Sequence, residues 1–173
     1  SSYPEKETRE AYRILKEMGV ATTIHQPSYS ILNRWIEDDK TLDTCGKLGI
    51  GVIAFSPLAQ GVLSGKYNKG ETQGTRAELK NSSLRSTDIQ DNVLDAVEKL
   101  GKIAKDRNQS LVQLALAWVL RRPEMTSALI GVRTLDQLKD CLGVLGNLSL
   151  SDEEIKAIDA ATKGALLDHR PKW

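Results

Sequence analysis

The chain has little that would commit it to a specialised class. Its 173 residues include two cysteines, two histidines and one phenylalanine, and 24 basic residues are balanced by 23 acidic ones for a net charge of +1. Two cysteines, Cys45 and Cys141, do not make a disulfide framework. Each falls in a helical pattern, so both are expected as free thiols in a reducing, cytoplasmic setting. Two histidines with no close Cys/His pair argue against a zinc site, and no metal is expected. Near-neutral charge gives no general pull toward nucleic acid or an anionic membrane, and neither is expected as a partner. No apolar run reaches the length of a membrane span. The polar opening Ser1-Ser2-Tyr3-Pro4-Glu5-Lys6 has no signal-peptide pattern. It carries no initiator methionine and starts on a turn-like segment, as a processed domain or a fragment would.

What is present is an alternation of helices and short apolar strands. Pro4 and Glu5 read as a helix start, Ala11, Ile14, Leu15 and Met18 as its inward stripe, and Gly19 as its stop. Strands are predicted at Val20–Ile24, Gly51–Phe55 and Thr126–Gly131. Helices are predicted at Thr41–Leu48, Asp91–Asp106, Leu111–Arg121 behind a Ser110 cap, Thr134 to about Val144, and from Ser151-Asp152-Glu153-Glu154, a capping box, to Lys163. A helical turn is expected around Asn33–Trp35. A long glycine-bearing loop occupies about 57–86, and a tail without clear period about 164–173. The order predicts βαβ units and a parallel sheet. Three strands are too few for a closed barrel of eight, and the bare sheet edges mark the organisation as part of something larger.

The run from Gly51 to Tyr67 is the most informative stretch. A strand of the kind buried on both faces of a parallel sheet stops at Ser56-Pro57, where proline cannot continue a ladder. A loop with Gly61, Gly65 and Lys66 follows. Such strand ends are where α/β proteins build their sites. A second candidate follows Ile130-Gly131-Val132, where Arg133 precedes a helix starting at Thr134. The free N–H groups and dipole of that helix end, with a guanidinium beside them, suit a phosphate.

Four segments together resemble the aldo-keto reductases over their C-terminal part. They are Ser1-Ser2-Tyr3; His25-Gln26-Pro27-Ser28-Tyr29-Ser30-Ile31-Leu32-Asn33-Arg34; Phe55-Ser56-Pro57-Leu58 through Lys66-Tyr67; and Leu129-Ile130-Gly131-Val132-Arg133 with Gln137-Leu138. The nearest branch holds glyceraldehyde-3-phosphate reductase-like enzymes and potassium-channel β subunits. The resemblance implies an α/β fold, a (β/α)8 TIM barrel of which this chain supplies strands 6–8 and their helices as a single partial domain. It implies an NADP-dependent oxidoreductase reducing aldehydes or ketones, with a small carbonyl compound as substrate. The family's Tyr/Lys/Asp/His catalytic set would lie upstream of Ser1, so no catalytic residue is expected here and the piece alone is expected to be inactive. The alternative is a non-catalytic, NADP-sensing regulatory subunit. Whether the protein forms a homo-oligomer stays open.

The same resemblance assigns a cofactor cradle. Ser1, Ser2 and Gln26 would hold the nicotinamide carboxamide, and Phe55 would stack on its ring. Ser56, Pro57, Leu58 and Gly61 would line the pyrophosphate, and Lys66 would reach a phosphate. Arg76 would clasp the adenosine half. Gly131 would belong to the cofactor site, and Arg133 would meet the adenosine 2′-phosphate, favouring NADP over NAD. Gln137 would contact adenine beside Asp140 and Cys141, which stand where the family usually has Glu and Asn. Blander roles are open for each: core packing for Phe55, surface cations for Lys66 and Arg76, a helix-surface carboxylate for Asp140. Elsewhere, His25 is expected to face the helices because side chains alternate along a strand. Asp38-Asp39 and Asp152-Glu153-Glu154 are expected at helix starts, Arg121-Arg122 as solvated helix ends, and Trp118 in the core. Trp35 and Trp173 are undecided, and the Asn147-Leu148-Ser149 sequon is expected to have no role.

Overall fold

A computed structural model describes residues 2–69, 89–167 and 169–170. Ser1, Arg76 and Trp173, and most of the predicted long loop, lie outside those residues.

Three strands, β1 (Ile24–His25), β2 (Gly51–Ala54) and β3 (Met125–Ala128), form one parallel sheet in the order β1-β2-β3. Ile24 pairs with Gly51, and Val52 with Met125, with an irregularity after Val52. Parallel neighbours need long crossovers, and helices fill them. Chain order runs α1 (Glu5–Glu17), β1, α2 (Trp35–Asp38), α3 (Thr41–Leu48), β2, α4 (Asp91–Asp106), α5 (Leu111–Val119), β3, α6 (Leu135–Leu142) and α7 (Asp152–Thr162). Turns of 3-10 helix cover Ala59–Ser64, Lys66–Lys69 and Gly143–Gly146.

The core lies on one side of the sheet. Val52 and Ala54 point into it and are buried, while Gly51 and Ile53 between them are half-exposed. Trp35, Trp118, Tyr29, Ile36, Leu42, Leu63, Leu100, Leu114 and Ile158 pack there. Both tryptophans are core residues, which settles Trp35. The segment from Pro27 to Asn33 is buried throughout although it follows a strand. Its backbone groups are met locally and by the tail: Leu167 N–H donates to the Leu32 carbonyl at 2.6 Å and His169 N–H to Asn33 Oδ1 at 3.4 Å.

Several helix ends match their local signals. Ser110 and Ser151 each open a helix with a reciprocal capping box, with Gln113 and Glu154 as partners. Ser151→Ala should cost about 1 kcal/mol, read as a lowered thermal midpoint of the full-length protein with unchanged circular dichroism.

Other expectations need correction. The first strand is Ile24–His25 rather than Val20–Ile24. Gly19, at φ +72°, ends α1, and Val20 N–H is spent on the Leu15 carbonyl at 2.8 Å, with Gly19 N–H on that of Lys16. This Schellman closure delays the strand. Pro4 caps α1 instead of entering its first turn. The predicted inward stripe of α1 is met only in part: Ala11 and Leu15 are half-buried, but Met18 is 69% exposed, Ile14 is also exposed, and Thr8 is the buried residue of that helix. The third strand is Met125–Ala128 rather than Thr126–Gly131, though Leu129 N–H adds one bond to Ala54. Helix α5 stops at Val119 and α6 at Leu142, short of the predicted Arg121 and Val144.

The acidic and basic pairs also read differently. Asp38 ends α2, so a helix start does not explain it. Asp39 does stand at helix starts as expected, accepting from the first N–H of α3, Thr41, at 2.9 Å and from the first N–H of α1, Glu5, at 3.1 Å. Arg121 and Arg122 are not solvated ends. Arg121 binds Glu37 at 2.6 Å and the Tyr29 hydroxyl at 2.7 Å, and Arg122 binds Asp43 at 2.7 Å. Among the described residues, no helix is long and apolar enough to cross a membrane.

Candidate functional site

A cleft of about 590 Å³ opens beyond the C-terminal ends of β2 and β3. Three segments and Val112 of α5 build it. Ser56 to Tyr67 forms one wall, Leu129 to Arg133 another, and Gln137, Asp140 and Cys141 of α6 close it. The volume is that of a small-molecule site.

The backbone of the first wall is unusual. Ser56 (φ +53°), Ala59 (φ +47°) and Gln60 (φ +57°) all adopt the left-handed region, followed by Gly61 at φ +99°. Each of the three carries a Cβ that disfavours this conformation, and such clusters collect at functional sites. The turn is held by local bonds: Ala59 N–H to the Ser56 carbonyl at 2.9 Å, Gly61 N–H to Leu58 at 2.9 Å and the Ser64 hydroxyl to Gly61 at 2.6 Å. Beneath it Val62, Leu63 and Tyr67 are buried, which anchors the loop to the core.

The second wall ends in a helix N-terminus. Thr134 caps α6 by accepting from Gln137 N–H at 3.2 Å. The Gln137 side-chain oxygen in turn accepts from Arg133 N–H at 2.8 Å, so its amide nitrogen is left as a donor. Arg133 is exposed, and with Lys66 it lines the same cleft. The site thus brings two cations and a helix N-terminus to one cavity, a setting that attracts anions. Asp140 lines it too, but its Oδ1 accepts from Ser110 Oγ at 2.7 Å and Gln113 Nε2 at 3.0 Å.

Of the residues singled out in the sequence, Ser56, Pro57, Leu58, Gly61, Lys66, Gly131, Arg133, Gln137, Asp140 and Cys141 line this cleft. Ser2, Gln26 and Phe55 do not. Ser2 and Gln26 are joined to each other, the Ser2 N–H and hydroxyl both donating to the Gln26 carbonyl, at 3.1 and 3.3 Å. Phe55 sits at the end of β2, 37% exposed, and bridges to Ser28. Ser1 and Arg76 lie outside the described residues. Gln60, Ser64, Tyr67 and Val112 also line the cleft and were not singled out. The first three fall within the flagged loop. Val112 comes from the first turn of α5, and nothing local in the sequence points to it.

His25 and Cys45 do not line the cleft. His25 is 4% exposed, on the helix side of the sheet, while Gln26 is exposed. Burial pushes the imidazole pKa down to about 4 and the Cys45 thiol up to about 11, so both stay neutral near pH 7. Burial, then the Asp140 charge, also raises Cys141. Among the described residues no group of three or more His, Cys, Asp or Glu side chains could hold a metal ion.

A three-stranded parallel sheet with helical crossovers and a cleft at its strand ends is the architecture of an α/β protein. The sequence profile of the aldo/keto reductase family matches residues 1–163, and the chain belongs to that family. It is 38% identical over 162 residues to the L-glyceraldehyde 3-phosphate reductase of Escherichia coli (strain K12), covering 92% of this chain and 47% of that protein. A probable voltage-gated potassium channel subunit beta of Oryza sativa subsp. japonica is 30% identical over 158 residues, covering 90% and 48%. An uncharacterized oxidoreductase of Bacillus subtilis (strain 168) is 34% identical over 142 residues, covering 82% and 40%. The chain therefore spans about half the length of the curated relatives it matches.

Proposed function

We propose that this chain is the NADP-binding portion of an aldo-keto reductase, and that the whole protein reduces aldehydes or ketones to alcohols. The observation that carries the proposal is the convergence of Lys66, Arg133 and the left-handed turn at Ser56–Gly61 on one cleft in a chain of this family. Within a (β/α)8 barrel, β1 to β3 would be strands 6 to 8, residues 1–173 a single partial domain, and the cleft one wall of the barrel mouth.

The residues present fit the dinucleotide. Two cations and an α6 N-terminus suit its phosphates, with Arg133 on the 2′-phosphate and Lys66 on the pyrophosphate. The amide nitrogen left on Gln137 is a donor for a ring nitrogen of adenine. Ser2 and Gln26, joined at the end of β1, would take the carboxamide, and the exposed face of Phe55 would take the ring. When bound, the reduced nicotinamide supplies a hydride to the carbonyl carbon. This chain's residues bind and orient the cofactor, and the proton donor would come from the part of the protein that precedes it.

Fluorescence titration of the full-length protein should give tighter binding of NADPH than of NADH. Arg133→Ala should weaken NADPH by roughly 30- to 100-fold, the loss of a charge-assisted phosphate contact, and leave NADH within about threefold. Equal affinities in the wild type would remove Arg133 from 2′-phosphate recognition.

A second reading is a regulatory subunit that senses NADP without turnover, favoured by the similarity to the rice channel subunit beta. Absorbance at 340 nm separates the two. NADPH consumption that depends on an added small aldehyde supports the reductase, and binding without consumption supports the sensor. A cytoplasmic location and self-association are part of neither argument.

A further inference from the structure

We propose that Asp140 is a positioning residue: its carboxylate moors α6, and with it Arg133 and Gln137, to the capping box that opens α5. This rests on the reading of the cleft as a dinucleotide site.

Helix α6 is lightly held by apolar packing. Cys141 is its one buried residue, and it belongs to a satellite cluster with Leu116, Ala117 and Val144, apart from the main core. Leu135 and Leu142 on its other side are exposed. Apolar burial has no direction, so so small a patch sets how near α6 lies to α5 better than how it is rotated.

The direction comes from a closed ring of hydrogen bonds. Ser110 Oγ donates to Asp140 Oδ1 at 2.7 Å while accepting from Gln113 N–H at 3.1 Å. Gln113 Nε2 donates to the same Asp140 oxygen at 3.0 Å, and Gln113 Oε1 accepts from Ser110 N–H at 3.4 Å. The carboxylate thus completes the α5 capping box from a neighbouring helix, beside the positive end of the α5 dipole. Gly143 makes room for the ring: a Cβ there would overlap the Gln113 amide. Asp140 lines the cleft, whereas Ser110 and Gln113 do not. Gln137 lies one turn before Asp140 on the same face, so a rotation of α6 that broke the ring would also swing Gln137 and the Arg133 backbone it holds.

Residues behind the wall should therefore control ligand affinity. In the full-length protein, Asp140→Ala and Gln113→Ala should each weaken adenosine 2′,5′-bisphosphate by about five- to tenfold, measured by calorimetry. The double variant should add no more than about twofold, as coupled residues do. Asp140→Asn keeps the acceptor oxygen and should retain most of the affinity. Backbone amides of residues 135–142 should exchange hydrogen faster in both alanine variants without any ligand. Unchanged affinity in Gln113→Ala with a loss in Asp140→Ala would make Asp140 a direct ligand contact and overturn the proposal. Unchanged exchange in both variants would overturn it as well. A wild type that binds no bisphosphate would refute the dinucleotide reading instead, leaving the exchange result to decide the mooring.

Discussion

Arg121→Met is expected to destabilise the full-length protein by about 3 kcal/mol, at the low end of the cost of breaking a buried ion pair. Arg121 is 13% exposed and Glu37 21% exposed. The guanidinium bonds Glu37 at 2.6 Å, the Tyr29 hydroxyl at 2.7 Å and the Trp118 carbonyl at 2.9 Å, and stacks 3.7 Å from the Trp118 ring centroid. Methionine keeps the bulk of the stem but leaves the Glu37 carboxylate unpaired, with the Tyr29 hydroxyl as its remaining partner here. The Trp118 ring also has Arg34 over it at 4.6 Å, and Arg34 binds Asp159 and Thr162 of α7. The cluster therefore ties the buried segment after β1 to α2, α5 and α7. Adding Glu37→Gln to Arg121→Met should recover a substantial part of the loss, because the uncompensated charge is its main source. Urea unfolding of the wild type and the two variants checks this. A loss below about 1 kcal/mol for Arg121→Met, the range of exposed pairs, would contradict it.

Acid should weaken the fold through His25. Burial is the main cause of its low pKa of about 4, with the Asp39 charge opposing, against 6.5 for an ordinary imidazole. Its Nε2 is buried without a hydrogen-bond partner. Above pH 6.5 both folded and unfolded chains hold the ring neutral, and His25 has no effect on the pH dependence. Between 6.5 and about 4 the unfolded chain takes up a proton that the folded chain refuses, so stability falls with pH. The full difference, reached near pH 4, is on the order of 3 kcal/mol. His25→Leu removes the titrating ring. The thermal midpoint of the wild type should drop more steeply from pH 7 to pH 5 than that of the variant. Parallel curves would assign the acid sensitivity to other groups.

What was legible in the sequence was local. Helix α4 matches its predicted bounds because Val93, Val97, Leu100 and Ala104 keep a helical period and are buried. The cap at Ser110 and the capping box at Ser151 need only a few neighbouring residues to be seen. The cleft was visible because its residues cluster after two strand ends. What was hidden depends on distant partners. Arg121 and Arg122 look like a solvated pair until Glu37 and Asp43 arrive from 84 and 79 residues away. The tie between Asp140 and Ser110 spans 30 residues and follows no local pattern. The stripe on α1 looks inward in the sequence because periodicity shows that a face is apolar, not what covers it. Strands of two to four residues are too short for alternation to fix their ends, and Val20 was claimed by the turn that closes α1.

The central claim is that the cleft between Ser56–Tyr67 and Leu129–Arg133 holds a phosphorylated dinucleotide. A crystal structure of the full-length protein grown with NADP tests it most directly. The 2′-phosphate should lie within hydrogen-bond reach of the Arg133 guanidinium and the pyrophosphate against the Ser56–Lys66 turn. A dinucleotide bound elsewhere, with this cleft holding only water, would contradict the account.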